Sequence, residues 1–309
     1  MKELITVFTP TYNRANYLVR PFQSLIRQTN KDFVWLIIDD GSTDNTKEII
    51  DSFRIKADFK IMYYYKENGG RHTALNYSYE ILQTEFVINL DSDDELLPTC
   101  IEDLYDIIKQ NDLINKKNIW QIVGLCQNQD SILVGRKIDE KINMLSGRKQ
   151  RKYAQKYRFE KSCCRRVEIL KQFRFPVYND TKFVTENTLW EKISLSYDSF
   201  FVNKIFRVYF DSTEGSIINS KSKTDFSRMK SRYYYSSFCL KELYEDRWIN
   251  KNYFISLFNI ARSGICCRIK TKEVISNAKK LPWKLFILFI SYPIAYLYVI
   301  IKKERKKDH

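Results

Sequence analysis

Histidine is almost missing from this chain. Only His72 and His309 occur in 309 residues, which rules out a His-rich metal site. The seven cysteines are an odd number, and the adjacent pairs Cys163-Cys164 and Cys266-Cys267 lack the C-x-x-C spacing of a zinc or redox motif. They read as reduced packing thiols, which points to a cytosolic compartment. The opening MKELITVFTP contains no apolar stretch of signal-peptide length, so the first domain is expected to stay where it is made. Acid is in short supply as well: 37 Asp and Glu against 52 Lys and Arg leave a formal charge of +15. Such a balance suits nucleic acid, an anionic membrane surface or phosphorylated substrates, and does not choose among them.

What is present is core. With 44% hydrophobic residues the chain is no disordered protein, and its length suits one large domain with an appendage or two modest ones. Over the first 130 residues, apolar β-rich runs alternate with helical patterns. Strands are expected at 4–9, 32–39, 60–65, 85–90 and 119–126, with helices near 16–29, 44–53, 73–83 and 98–110. This is the pattern of βα units on a largely parallel sheet. Ser42 or Thr43 is expected to cap the second helix, and Pro98 to open the fourth.

In such sheets ligands bind beyond the carboxyl ends of the strands. The segments there are TPTYNR (9–14), DDGSTDNT (39–46), KENGGRHTALN (66–76) and DSDDEL (91–96). Asp91 and Asp93, on a turn after a strand, suit one divalent ion whose other sites go to water and phosphate oxygens. Alternatively, Ser92, Asp93 or Asp94 only caps the next helix. Asp39 and Asp40 suit a base N–H or a ribose hydroxyl, unless Asp40, Ser42 or Thr43 is merely a cap. Tyr12 suits a flat base and Arg14 a phosphate; the other reading is a turn held by Pro10 and Asn13. The paired glycines 69 and 70 leave backbone amides at a helix start beside Arg71 and His72, favourable to anions, although such a turn needs no ligand.

The order and placement of all four segments resemble the nucleotide-sugar domain of the inverting family 2 glycosyltransferases, strongly over residues 3–126 and more weakly to about 215. The resemblance implies an α/β GT-A fold with a Rossmann-like, mostly parallel sheet flanked by helices. It also implies a nucleoside-diphosphate sugar donor, UDP-sugar first, and a Mg or Mn ion. Pro10 and Tyr12 match the start of the nucleotide pocket, with Arg14 beside them. Asp39 and Asp40 match the residues for base and ribose, Gly70 and Arg71 the loop beside the donor, and Asp91, Ser92 and Asp93 the D-x-D motif, with Asp93 as chief metal ligand. The resemblance further implies a Glu-Asp pair before an apolar helix, as many members of that family carry. Here FVTENTLWEKI places Asn187 where that Asp stands, so Glu186 is the candidate base, the alternative being a helix-start acid with Thr185 as cap.

Residues 285–301 carry no charge and are followed by KKERKK. Seventeen residues reach about 26 Å, short of the roughly 30 Å hydrocarbon core, and Pro293 should kink them. A spanning segment with a cytosolic tail would strand the catalytic domain away from nucleotide sugars. A peripheral or monotopic anchor on the cytoplasmic face is therefore expected, with a buried C-terminal helix as the alternative. The basic aromatic stretch SRYYYSS comes with no nucleic-acid motif, so no nucleic-acid partner is expected.

The expectation is thus a GT-A catalytic domain over 1–215 and a helical, membrane-associating region over 216–309. The activity is hexosyl or N-acetylhexosaminyl transfer to a lipid-linked or polysaccharide acceptor. Two rivals stand beside it: a non-catalytic basic membrane module binding anionic lipid or nucleic acid, and a glycoside hydrolase with paired carboxylates.

Overall fold

A computed structural model of the chain describes residues 3–139, 143–146, 149, 159–210, 224–243 and 251–304. It forms two compact units, Met1–Phe175 with Ile193–Glu214, and Pro176–Lys192 with Gly215–His309.

The first unit is built on a nine-stranded sheet. Its opening elements are β1 (Ile5–Thr11), α1 (Val19–Ile26), β2 (Phe33–Asp39), α2 (Thr46–Lys56), β3 (Lys60–Tyr65), α3 (Arg71–Ile81) and β4 (Phe86–Asn89). Then come β5 (Glu95–Leu96), α4 (Cys100–Gln110), β6 (Ile119–Asn128), β7 (Met144–Leu145), β8 (Lys161–Arg166), the short α5 (Val167–Leu170) and β9 (Asp198–Tyr209), while α6 (Asn187–Ser196) begins in the second unit and ends in the first. The order across the sheet is β3-β2-β1-β4-β8-β6-β9-β5, with β7 on β9. Strands β1 to β4 pair in parallel, and β8 runs antiparallel to both β4 and β6, so β6 and its parallel partner β9 share the direction of the first four. The sheet is mostly parallel.

Composition explains this layer. ITVFTPT and FVWLIID are buried along their whole length, as a strand covered by helices on both faces requires. Trp35 is fully buried, and the rings of Phe22 and Phe53 stack at 4.1 Å beneath it. Each such side chain contributes roughly 1.5–3 kcal/mol of burial.

Strand β1 lies between β2 and β4, so the connections leave it in opposite directions and a crevice opens at its carboxyl end. Pro10 stands at the edge of that crevice. β4 follows β1 only as far as Phe8 opposite Asn89, whereas β2 follows it to Thr11 opposite Asp39. A residue without an N–H therefore sits where pairing with β4 has ended.

Two helix starts differ from expectation. The cap residue of α2 is Asn45 rather than Ser42 or Thr43, and α4 begins at Cys100 with Thr99 before it, so Pro98 lies outside the helix. Ser42 and Thr43 are drawn instead to Asn13: Asn13 N donates to Ser42 Oγ at 2.8 Å, and Thr43 N to Asn13 Oδ1 at 2.7 Å.

The second unit is helical beyond residue 224: α7 (Thr224–Phe238) with a π turn at Cys239–Leu243, α8 (Lys251–Cys266), α9 (Thr271–Ser276), α10 (Leu281–Phe286), a π turn at Ile287–Ser291, and α11 (Tyr292–Glu304). Its core gathers Leu257, Ile260, Ala261, Val274, Ile287 and Ala295. The break in regular α-helix expected at Pro293 is the π turn just before it.

Candidate functional site

The four loops converge at the carboxyl ends of β1 to β4. The loop after β1 brings Arg14 to Asp93, Nη2 to Oδ2 at 3.0 Å, while the start of α3 brings Arg71 to Asp91, Nη1 to Oδ1 at 2.6 Å. Arg20, from α1, donates to the Asp93 carbonyl at 2.6 Å. Neither Ser92, Asp93 nor Asp94 caps α4, whose first residue is Cys100. The capping alternative for the acidic turn therefore falls away. Ser92 is buried in that turn, and Tyr12 stands 47% exposed at the mouth of the crevice.

Asp39 and Asp40 are buried and engaged inside the protein. Asp39 accepts Ser42 N at 2.8 Å and Tyr63 OH at 2.9 Å. The Tyr63 hydroxyl is pushed well above its ordinary pKa by burial and by that carboxylate. Asp40 takes Lys66 Nζ at 2.6 Å and Gly69 N at 3.0 Å on one oxygen, Gly70 N at 2.7 Å and Asn68 Nδ2 at 3.2 Å on the other. The amides of the glycine pair, expected to be open to an anion, are thus taken up by Asp40. Gly70, at φ 95°, adopts the left-handed backbone that lets both amides turn inward.

Beneath the acidic turn lies a cation that sequence reasoning missed. Arg207, on β9 and nearly fully buried, places Nη1 3.6 Å from Asp91 and 3.4 Å from Asp94, with Nη2 paired to Glu160. Burial would raise the Asp91 carboxyl, but Arg71 and Arg207 more than reverse that and hold it below the usual range. Asp94 goes the other way. Burial lifts it to about 7, with Asp91 and Asp93 adding repulsion against the pull of Arg207. A lone Arg inside the apolar run IFRVY was the available signal, since a buried charge demands a partner.

The donor chemistry fits a hard divalent cation. Asp91 and Asp93 offer carboxylate oxygens on one turn, each ion-paired to an arginine, and among the described residues no group of three or more His, Cys, Asp or Glu could hold a metal ion by itself. Two carboxylates with the remaining positions left to water and phosphate is the arrangement Mg favours.

Glu186 lies in the second unit. Its Oε2 accepts Trp190 Nε1 at 3.2 Å, and its carbonyl takes the amides of Leu189 and Trp190, so the residue anchors the first turn of α6. Asn187 is the first residue of that helix.

The mostly parallel sheet with an acidic turn at its switch point is an α/β architecture like that of GT-A glycosyltransferases. The sequence model described as Glycosyl transferase family 2 matches residues 6–171, more than half of the chain, and the chain belongs to that family. Glycosyltransferase GlyG of Streptococcus pneumoniae is 36% identical over 113 residues, 36% of this chain and 37% of its own length. An uncharacterized glycosyltransferase of Rickettsia conorii is 35% identical over 144 residues, 46% of this chain and 21% of its own. The chain therefore spans only about a third or less of these relatives. Among solved structures, S. aureus TarS 1-349 in complex with UDP-GlcNAc superposes with a TM-score of 0.56 at 18% identity, covering 94% of this chain and 79% of that one. The mannosyltransferase PcManGT of Pyrobaculum calidifontis in complex with GDP-Man and Mn2+ gives 0.52 at 14% identity, covering 94% and 85%. At such identities the likeness is one of fold.

Proposed function

We propose that the chain is an inverting glycosyltransferase that moves a hexosyl or N-acetylhexosaminyl group from a nucleoside-diphosphate sugar, UDP-linked first, to a hydroxyl of a lipid-linked or polysaccharide acceptor. The catalytic domain runs to about residue 215, and the reaction takes place at the cytoplasmic face of the cell membrane. The observation that carries the reading is the convergence of Arg14 and Arg71 on Asp93 and Asp91 at the switch point of the sheet. The donors bound in the two structures of similar fold, UDP-GlcNAc and GDP-Man with Mn2+, support the same substrate class.

In this reading Tyr12 covers the base, Asp39 and Asp40 shape the nucleoside side through the loops they fold, and Gly70 with Arg71 flanks the donor. Asp91 and Asp93 would hold Mg or Mn, which would offset charge on the diphosphate. Arg14 and Arg71 supply further positive charge where the leaving oxygen gains its electron pair. The acceptor oxygen bonds to C1 as the C1–O bond to phosphate breaks, and Glu186 takes the acceptor's proton. With Asn187 following it, Glu186 is the acid at the start of α6 on which that step would rest.

Incubation with UDP-, GDP- and dTDP-sugars plus Mn, with and without a chelator, tests the proposal. Nucleoside diphosphate release from one donor class, lost on chelation, is expected. No release from any donor overturns it.

A further inference from the structure

The C-terminal helical stretch is packed inside out. Its buried stripe is Ile287, Ser291 and Ala295, spaced four residues apart and small at two of three positions. The large apolar side chains face away: Phe289 is 68% exposed, Leu297 59%, Tyr296 56% and Ile294 53%, with Leu285 and Ile290 beside them. A helix closing onto a water-soluble core does the reverse. Small residues inside and large apolar ones outside is how helices pack when hydrocarbon surrounds them. Pro282–Val299 is long and apolar enough to cross a membrane, and only 17% of that window is buried.

What the stretch packs against decides how it meets the lipid. α8 lies along it: Tyr253 and Trp283 meet edge to face at 5.1 Å, Phe258 and Tyr298 at 6.3 Å, and the Arg262 guanidinium sits 4.7 Å over the Tyr298 ring. A span over 282–299 would draw α8 into the bilayer beside it, with Phe258 and Arg262 against Tyr298 at its far end. The π turn at Ile287–Ser291, followed by Pro293, also interrupts a straight span. Basic residues flank the apolar surface, with Lys279, Lys280 and Lys284 before it and KKERKK after it in sequence.

We propose that the outward face of residues 285–298 is a docking surface for anionic bilayers. It lies in the plane of the membrane, with Phe289, Ile294 and Leu297 in the acyl boundary and Lys279, Lys280 and Lys284 at the headgroup phosphates. This deepens the membrane location in the proposed function by naming the surface and its orientation. Its test needs no sugar donor, so transfer and docking fail separately.

The full chain is floated with phosphatidylcholine vesicles, with and without phosphatidylglycerol. Binding that grows with the anionic lipid and weakens with salt is expected. The double variant F289E/L297E should bind at least about tenfold less while melting as the wild type does, since both side chains are exposed. Brominated-lipid quenching of Trp283 fluorescence should report a shallow depth. Three results overturn the proposal: unchanged vesicle binding by the double variant, quenching from the bilayer centre, or a lipid-free dimer that the same variant converts to monomer.

Discussion

Arg14 Nη2 and Asp93 Oδ2 meet at 3.0 Å across the opening between β1 and β4, where the loop after one strand closes on the loop after the other. The pairing of β1 with β4 stops at Phe8 opposite Asn89, and both chains turn into loops beyond it. An acid needed for chemistry and a cation suited to phosphate are brought together by the sheet.

Asp93→Ala should lower turnover at least about a hundredfold, because it removes a group that acts on transition-state charge. Stability should fall by a smaller amount, on the order of 1–2 kcal/mol, because the mostly buried Arg14 loses this partner. Nucleoside diphosphate release and a thermal melt, run side by side, check both halves.

Asp40→Ala should behave differently. It strands Lys66 and the amides of Gly69 and Gly70, so a loss of about 3–5 kcal/mol is expected. Chemical denaturation should show this without any substrate. Equal stability of variant and wild type would mean that the loop does not depend on this carboxylate.

Glu186→Gln keeps the size of the side chain and an acceptor for Trp190, but cannot take a proton. Turnover should fall about 10²–10⁴-fold with donor affinity unchanged. Pre-steady-state release and equilibrium titration separate the two quantities. A variant as active as wild type assigns the base elsewhere.

His72 is buried, and neither ring nitrogen has a hydrogen-bond partner. Burial lowers its pKa from 6.5, opposed by Asp40 and aided by Lys66. Below about 6.5 the unfolded chain binds a proton that the folded chain refuses, so this contribution to stability is complete above that pH and declines as pH falls beneath it. His72→Gln should therefore show a smaller loss of melting temperature than wild type between about pH 7.5 and 5.5. Parallel curves would contradict this.

The first half of the fold was legible because buried parallel strands are continuous apolar runs. β3 keeps the expected bounds of 60–65, and β2 and β6 shift by no more than two residues at either end. β8 was hidden by its composition. KSCCRR carries three basic residues in six, yet it threads between β4 and β6, with Arg166 fully buried and donating to the carbonyls of Ile119 and Leu113. No local pattern announces a strand whose charge is satisfied by backbone from another element. The acidic turn was legible by its place after a strand, whereas Arg207 beneath it comes from β9, far along the chain. The inward use of Asp40 was illegible for a related reason: DDGSTD looks the same whether its carboxylates meet a ligand or their own loop.

Calorimetric titration of UDP in the presence of Mn, against wild type and Asp93→Ala, tests most directly whether the four loops surround one diphosphate. Wild-type binding weakened at least about tenfold in the variant, or ~1.4 kcal/mol, is the predicted result. Equal affinity in the two proteins would contradict the account.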